Sequence, residues 1–413
     1  MDQPRFRLRL TEPTWRRIAH DKDRDVAVPA VIWRRDEVVE ILVAPHEHGP
    51  GLGSATVKSV LLPDDMSGVT SAYWSLRGLR SDPNSLVVEV ATFKNGRIAS
   101  AVLTPDGVFP LERIDIVGPG LPRHGRPAEF PVSSSGVVDR GRQAGALGGE
   151  GPLHRVRSLD IALVGVGRTG SWLAAVLARM GVHRLRLYDG DRVEPHNLDA
   201  MWGVTPSDVG RFKVHAVAER LRVAAPELQV RAFATQVAED RDFSPLTVAD
   251  LLITAVDRPA ARLQVATAAT LFLRPHLDVA TGVIDEGGWL AGTDIRLCLP
   301  GSACLLCLGG IPGLDVEALD EGRPWFEDRL GSLVSLNSFA VGAATFLLER
   351  LLLAGTIDKS VWVRATSRGG PLEMGEVDHA GAPDCPLCRR AGLGGVRDFF
   401  FTGPPGLPEL MPF

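Results

Sequence analysis

Up to about Gly120 the hydrophobic positions come in short alternating runs, among them Val38 to Val43, Leu86 to Ala91 and Ile98 to Leu103. Turn signals separate them at Asp64-Asp65, Lys94-Asn95-Gly96 and Pro105-Asp106-Gly107. Period-two alternation with such punctuation predicts strands, so residues 1–122 read as a small α+β or mostly β domain. Residues 118 to 152 collect Gly, Pro, Ser and Arg with little periodicity, and 123–138 read as a linker. At Leu159 the pattern changes to strand and helix in alternation. Ile161–Val164, Leu185–Tyr188, Gln229–Ala232, Leu251–Ala255 and Val361–Ala365 are short apolar strands; Ser171–Met180, Lys213–Ala224, Ala260–Thr270 and Leu333–Leu353 have helical spacing. That order predicts an α/β domain with a Rossmann-like parallel sheet over 139–395. After Leu297 the pattern becomes irregular. Residues 396–413 form an apolar tail whose Phe399-Phe400-Phe401 and Pro404-Pro405 suggest docking on a protomer or partner.

Composition narrows the function. The 413 residues fit two or three domains at roughly 150 residues each, and 45% hydrophobic with 23% charged residues is ordinary for a globular chain. A net charge of -5 lacks the basic footprint expected if nucleic acid were the main partner. No apolar run approaches the ~20 residues of a membrane span, and no signal-peptide pattern opens the chain, which predicts a cytoplasmic protein. Of 45 basic residues only five are lysine (Lys22, Lys58, Lys94, Lys213, Lys359), so a lysine at a useful spacing stands out. Four of the five cysteines form two C-x-x-C pairs, Cys304/Cys307 and Cys385/Cys388. In a long chain without secretory features this reads as a closed, structural Zn²⁺ site of four thiolates. Cys298, in the strand-like Ile295 to Leu299, reads as a small buried residue.

The segment Gly165-Val166-Gly167-Arg168-Thr169-Gly170 is G-x-G-x-x-G between a strand and a helix. In that context glycines let backbone N–H groups approach a phosphate at the helix N-terminus. Asp189 ends the next strand, where a carboxylate accepts hydrogen bonds from ribose hydroxyls. Gly165, Gly167, Gly170 and Asp189 together predict nucleotide binding; a glycine turn serving only tight helix–sheet packing is the alternative. No P-loop motif is present. Up to this point an NAD-dependent oxidoreductase fits as well as an ATP-using enzyme.

Further along lie Asp189-Gly-Asp191-Arg-Val-Glu-Pro-His196-Asn197-Leu198, then Val209-Gly-Arg-Phe-Lys213, then Ala255-Val-Asp257-Arg258-Pro-Ala-Ala-Arg262, and finally the two C-x-x-C pairs. In this order the motifs resemble the ThiF/MoeB/HesA family of ubiquitin-activating-type adenylyltransferases over about residues 139 to 390. Arg142-Gln143 is similar to the family's R-Q segment, whose arginine enters the neighbouring protomer's site. The resemblance implies activation of a carboxylate by ATP and Mg²⁺. The carboxylate, the C-terminal glycine of a ubiquitin-like or sulfur-carrier protein, attacks the α-phosphate and pyrophosphate leaves. A terminal carboxyl has pKa near ~3.5 and is already ionised, so the site must supply positive charge and alignment rather than a base. By position Lys213 is the phosphate cation, Asp257 the Mg²⁺-linked carboxylate, Asn197 a phosphate contact, and Asp189 and Asp191 nucleotide-binding residues. Arg142 acts across a homodimer. His196 reads as an ordinary polar loop residue.

Two departures bear on activity. Where the family has arginine after Asn-Leu-x, this chain has Asp199-Ala200, losing a phosphate cation; where it has Asp-Asn, this chain has Asp257-Arg258, gaining one. These raise the alternative of a catalytically degenerate module that binds a ubiquitin-like protein or peptide. Leu308 to Leu333 contains no cysteine, so the reading is adenylation without an obligatory thioester on this chain; a separate conjugating or sulfur-transfer protein would follow. In the first domain, His46-Glu-His48-Gly-Pro50 and Ser54 only superficially resemble a JAB/MPN metal site. Gly49 interrupts the motif and Val57 stands where an aspartate is expected. That domain reads as a recognition domain, a degenerate relative of that fold at most.

Overall fold

The structure is a computed structural model of the full chain. It describes residues 5–20, 27–35, 38–43, 55–62, 86–93, 98–104, 107–119, 121, 123–125, 139–237, 244–285, 288–311, 329–353, 356–379 and 384–392. The histidine loop 46–50 with Ser54, and the apolar tail 396–413, lie outside the described residues. The chain divides into two compact units. The first comprises Met1–Glu129 with Leu271–Leu273 and Arg389–Gly395; the second comprises Phe130–Thr270, Arg274–Cys388 and Val396–Phe413.

In the first unit the strands are β1 (Arg5–Thr11), β2 (Ala27–Arg35), β3 (Val38–Leu42), β4 (Ala55–Leu62), β5 (Leu86–Phe93), β6 (Ile98–Thr104), β7 (Gly107–Val117) and β8 (Arg123–Gly125), with helix α1 (Glu12–His20) after β1. They pair in the order β1-β3-β2-β4-β5-β6-β7-β8, and β1 also pairs in parallel with β7. Hydrogen bonding therefore closes on itself through seven strands, each with two strand neighbours within that ring. Phe6, Leu8 and Leu10 alternate into an apolar core with Ile41, Val57, Val88, Val90 and Ile114. Val57 is thus a core residue of β4. The three-residue β8 occupies the head of the stretch read as linker.

The second unit is α/β with a mixed sheet. Its first helices are α2 (Gly141–Ala146) and α3 (Glu150–Ser158), in a stretch whose sequence shows little periodicity. Then follow β9 (Asp160–Val164), α4 (Arg168–Met180), β10 (Arg184–Tyr188), α5 (Lys213–Ala224), β11 (Gln229–Phe233), the single turn α6 (Ser244–Thr247), β12 (Leu251–Thr254) and α7 (Pro259–Leu271). The chain continues through β13 (His276–Asp285), β14 (Trp289–Cys298), β15 (Arg329–Gly331), α8 (Val334–Leu352), β16 (Val361–Ser367) and β17 (Glu373–Glu376). Strand order is β11-β10-β9-β12-β13-β14-β16-β17, with β15 on β13. From β11 to β13 the pairings are parallel; β13, β14, β16 and β17 are antiparallel. β9 and β12 are buried along their whole length, their apolar residues interrupted only by Asp160 at the start of β9 and Thr254 at the end of β12, as expected for central strands of a parallel sheet. Order reverses beside β9, which pairs with β10 on one side and β12 on the other, so the ends of these three strands form the crevice where open α/β sheets bind ligands. No helix among the described residues is long and apolar enough to cross a membrane.

Candidate functional site

β9 ends at Val164, and the chain reverses at Gly165 with φ of +90°, a conformation open to glycine and strained for other residues. A Cβ there would lie 2.5 Å from the Ala255 carbonyl oxygen on the neighbouring β12 exit, and one at Gly170 would lie 1.9 Å from the Gly165 oxygen. Both glycines are therefore fixed by packing. Gly167 differs: a Cβ there meets no atom within 4 Å. It is the N-cap of α4 and no side chain caps this helix start. Its unmade N–H groups and the positive end of the helix dipole suit an anion.

The adjacent β10 delivers Asp189. Its Oδ2 accepts the Val166 N–H at 2.8 Å and its Oδ1 the Asp191 N–H at 2.9 Å, which ties the carboxylate to the glycine turn. Burial raises the Asp189 pKa, while the Lys213 charge and the two N–H groups oppose that shift. Lys213 opens α5; its backbone N–H donates to the Asp191 carbonyl and its Nζ donates to Asp191 Oδ2 at 2.9 Å. Gln236, which sequence reasoning passed over, donates to the other oxygen of Asp191 at 2.9 Å. Asp257 and Arg258 sit exposed at the exit of β12.

Two motif positions are held by hydrogen bonds. Asn197 is buried, and its Oδ1 accepts the Glu194 N–H at 2.9 Å, capping the 3₁₀ turn Pro195–Asn197. Ala200 is buried and its carbonyl accepts the Trp172 indole N–H. Arg142 is exposed on α2, whose Gln143 amide donates to the Met180 carbonyl at 3.0 Å. His196 is exposed, with Nδ1 3.3 Å from Glu194.

Beneath the crevice lies a polar network the sequence did not announce. Arg262, on α7, forms a buried ion pair with Asp278 on β13, which also accepts the Thr254 hydroxyl at 2.7 Å. That hydroxyl is 2.8 Å from His276 Nε2. Since the carboxylate only accepts, Thr254 donates to it and accepts from His276, which fixes the imidazole as the neutral Nε2–H tautomer. Burial pushes the His276 pKa from 6.5 down to about 4. Opposite His276 across the β13–β14 register lies Cys298, buried, its thiol pKa raised by the loss of solvation.

The other cysteines assemble elsewhere in the second unit. The Sγ atoms of Cys304, Cys307, Cys385 and Cys388 all lie within 4.8 Å of one another. Neighbouring pairs stand at 3.8, 3.6 and 3.6 Å. A tetrahedron with Zn–S bonds of ~2.3 Å has edges of ~3.8 Å, so the four sulfurs fit zinc. Ser360 holds the supporting loop: its hydroxyl accepts the Leu299 and Ala303 N–H groups and donates to the Ala303 carbonyl.

The glycine turn, Asp189, Lys213 and Asp257 follow β9, end β10, open α5 and follow β12, in the order of one family's sequence pattern, and comparison with known proteins decides which. Residues 140–311 match the ThiF family. This stretch of the chain is a ThiF family domain. Among curated relatives the ThiF domain is similar to ubiquitin-like modifier-activating enzyme 5 of Arabidopsis thaliana, 28% identical over 171 residues, covering 37% of this chain and 38% of that one. It is also similar to the enzyme of the same name from Drosophila ananassae, 32% identical over 181 residues, covering 41% and 44%. The chain thus spans less than half the length of these relatives. Among solved structures, E. coli MccB with ATP aligns with a TM-score of 0.47 at 18% identity, over 60% of this chain and 72% of that one.

Proposed function

We propose that this chain is an ATP-dependent adenylyltransferase that activates the C-terminal carboxylate of a small ubiquitin-like or sulfur-carrier protein, or of a peptide, as an acyl-adenylate. The observation that carries the reading is the convergence of the uncapped Gly167 helix start after β9, Asp189 at the end of the adjacent parallel strand β10, and Lys213 at the start of α5, held on Asp191, within a ThiF family domain. The α-phosphate sits at the N-terminus of α4, where N–H groups and dipole stabilise it. Asp189 accepts from the ribose, and Lys213 moves from Asp191 to the phosphates, offsetting the charge that gathers during in-line attack. Asp257, an exposed carboxylate at the β12 exit, has the hard oxygen donors that Mg²⁺ takes. That ion would supply neutralisation of the phosphate oxygens. Arg142, exposed on α2, reaches the site of a second protomer in a homodimer. The four-cysteine group holds a structural zinc with no open coordination position. The product passes to a separate conjugating or sulfur-transfer protein, because the only other cysteine, Cys298, is buried.

ATP–pyrophosphate exchange tests the reading. Exchange should require a partner protein ending in Gly-Gly or a peptide with a free C-terminus, and Lys213→Ala should lower it by at least tenfold. Absence of exchange with every such partner, together with ATP affinity unchanged in Lys213→Ala, would leave the degenerate binding module as the correct reading.

A further inference from the structure

Arg168 is the residue after Gly167 and occupies the first position of α4. A cation there faces the positive end of the helix dipole, which favours anions, so it needs an anionic partner. In this structure the partner is Asp199, 2.9 Å from Nη2, and the same nitrogen donates to the His196 carbonyl at 3.0 Å. Nη1 lies 3.5 Å from the Ser332 carbonyl, ahead of α8. The Asp199 side chain is 61% exposed and that of Arg168 29%, so water reaches this pair. An exposed pair is worth little and exchanges its partners readily. Lys213 is held the same way on Asp191, a carboxylate of the same segment between β10 and α5. Each of these two cations flanking the Gly167 turn thus rests on an exposed aspartate that a phosphate can displace.

Resting on the adenylyltransferase reading above, we propose that Arg168 is a polyphosphate ligand of this site and Asp199 its resting counter-ion. Position 200, where the ThiF pattern carries arginine, is here a buried alanine, and the adjacent residue, Asp199, is the one the Arg168 guanidinium reaches. The guanidinium arrives from the helix start instead of from the 3₁₀ turn, at the same stretch of chain. Its fork of donors matches two phosphate oxygens, and the β- and γ-phosphates are the anionic groups that ATP has and AMP lacks.

Calorimetric titration of the full chain with ATP and with AMP, in the presence of magnesium, separates the outcomes. Arg168→Ala should weaken ATP by tenfold or more and AMP by less than twofold, with Arg168→Lys recovering part of the loss. Asp199→Asn, which keeps the side-chain shape and removes the competing charge, should strengthen ATP severalfold and leave AMP unchanged. Equal weakening of ATP and AMP in Arg168→Ala, or no response to Asp199→Asn, overturns the assignment while leaving the adenylation reading intact. If the unmodified chain binds neither nucleotide, both fall together.

Discussion

Gly165 and Gly170 are required by their neighbours: a methyl group at either would press on backbone at 2.5 and 1.9 Å. Alanine at Gly170 should therefore destabilise the chain by ~1–3 kcal/mol or more through overpacking. Gly167 has a φ of −77° and no atom within 4 Å of an added Cβ, so Gly167→Ala should leave stability within ~0.5 kcal/mol. If phosphate approaches there, the same variant should lose most of its ATP affinity. Thermal unfolding and ATP titration of the two variants check this, and Gly167→Ala binding ATP normally would remove the phosphate from the turn. G-x-G-x-x-G in the sequence merges these two reasons for a glycine; only the Cβ environment separates them. Asn197 shows the reverse limit. Its motif position was legible, but the backbone N–H that occupies its Oδ1 belongs to Glu194 in a turn whose shape the spacing does not encode.

At the scale of elements, the strands β9 to β12 and the helices between them were readable because each is a short apolar run or a 3.6-period stripe closed by turn residues. β13 was not. Its first residues include His276 and Asp278, both buried: Thr254 on β12 and Arg262 on α7 satisfy the Asp278 carboxylate, and Thr254 accepts from the His276 Nε2–H, while the His276 Nδ1 has no hydrogen-bond partner among the described residues. That satisfaction depends on three segments meeting, which no local window contains. It also makes stability depend on pH. The folded His276 stays neutral down to about pH 4, whereas the unfolded side chain takes a proton near 6.5. Between those values the unfolded state binds the extra proton, so stability falls as pH falls, by up to ~1.4 kcal/mol per pH unit for one group. Arg262 and Asp278 face this imidazole and stay paired across the window, since the Asp278 pKa is lowered by the Arg262 charge against its burial. Denaturant unfolding from pH 4 to 7 should show a shallower slope in His276→Gln than in the natural chain; identical slopes would assign the acid sensitivity to other groups.

Across the molecule, the cysteine group joins chain positions 81 residues apart, Cys304 to Cys385 and Cys307 to Cys388. A metal held by both pairs binds the folded second unit far better than an unfolded chain, and its binding energy becomes folding energy. Purified protein should contain one zinc per chain. Removal with a strong chelator, or Cys388→Ser, should lower the melting temperature by several degrees and raise protease sensitivity between residues 299 and 391. Metal-free protein with unchanged melting behaviour would make the cysteines ordinary core residues. The sequence by itself determined the α/β character of the second unit, the glycine turn, the two C-x-x-C pairs and the scarcity of lysine that singled out Lys213, because periodicity and spacing are local properties. Tertiary structure alone decided that β1 closes the first unit's strands into a ring, that His276 and Asp278 are interior, and that Arg168 meets Asp199 beside Ala200. Each of those rests on a pairing between distant segments, and what satisfies a buried or charged group there is the partner the fold brings to it.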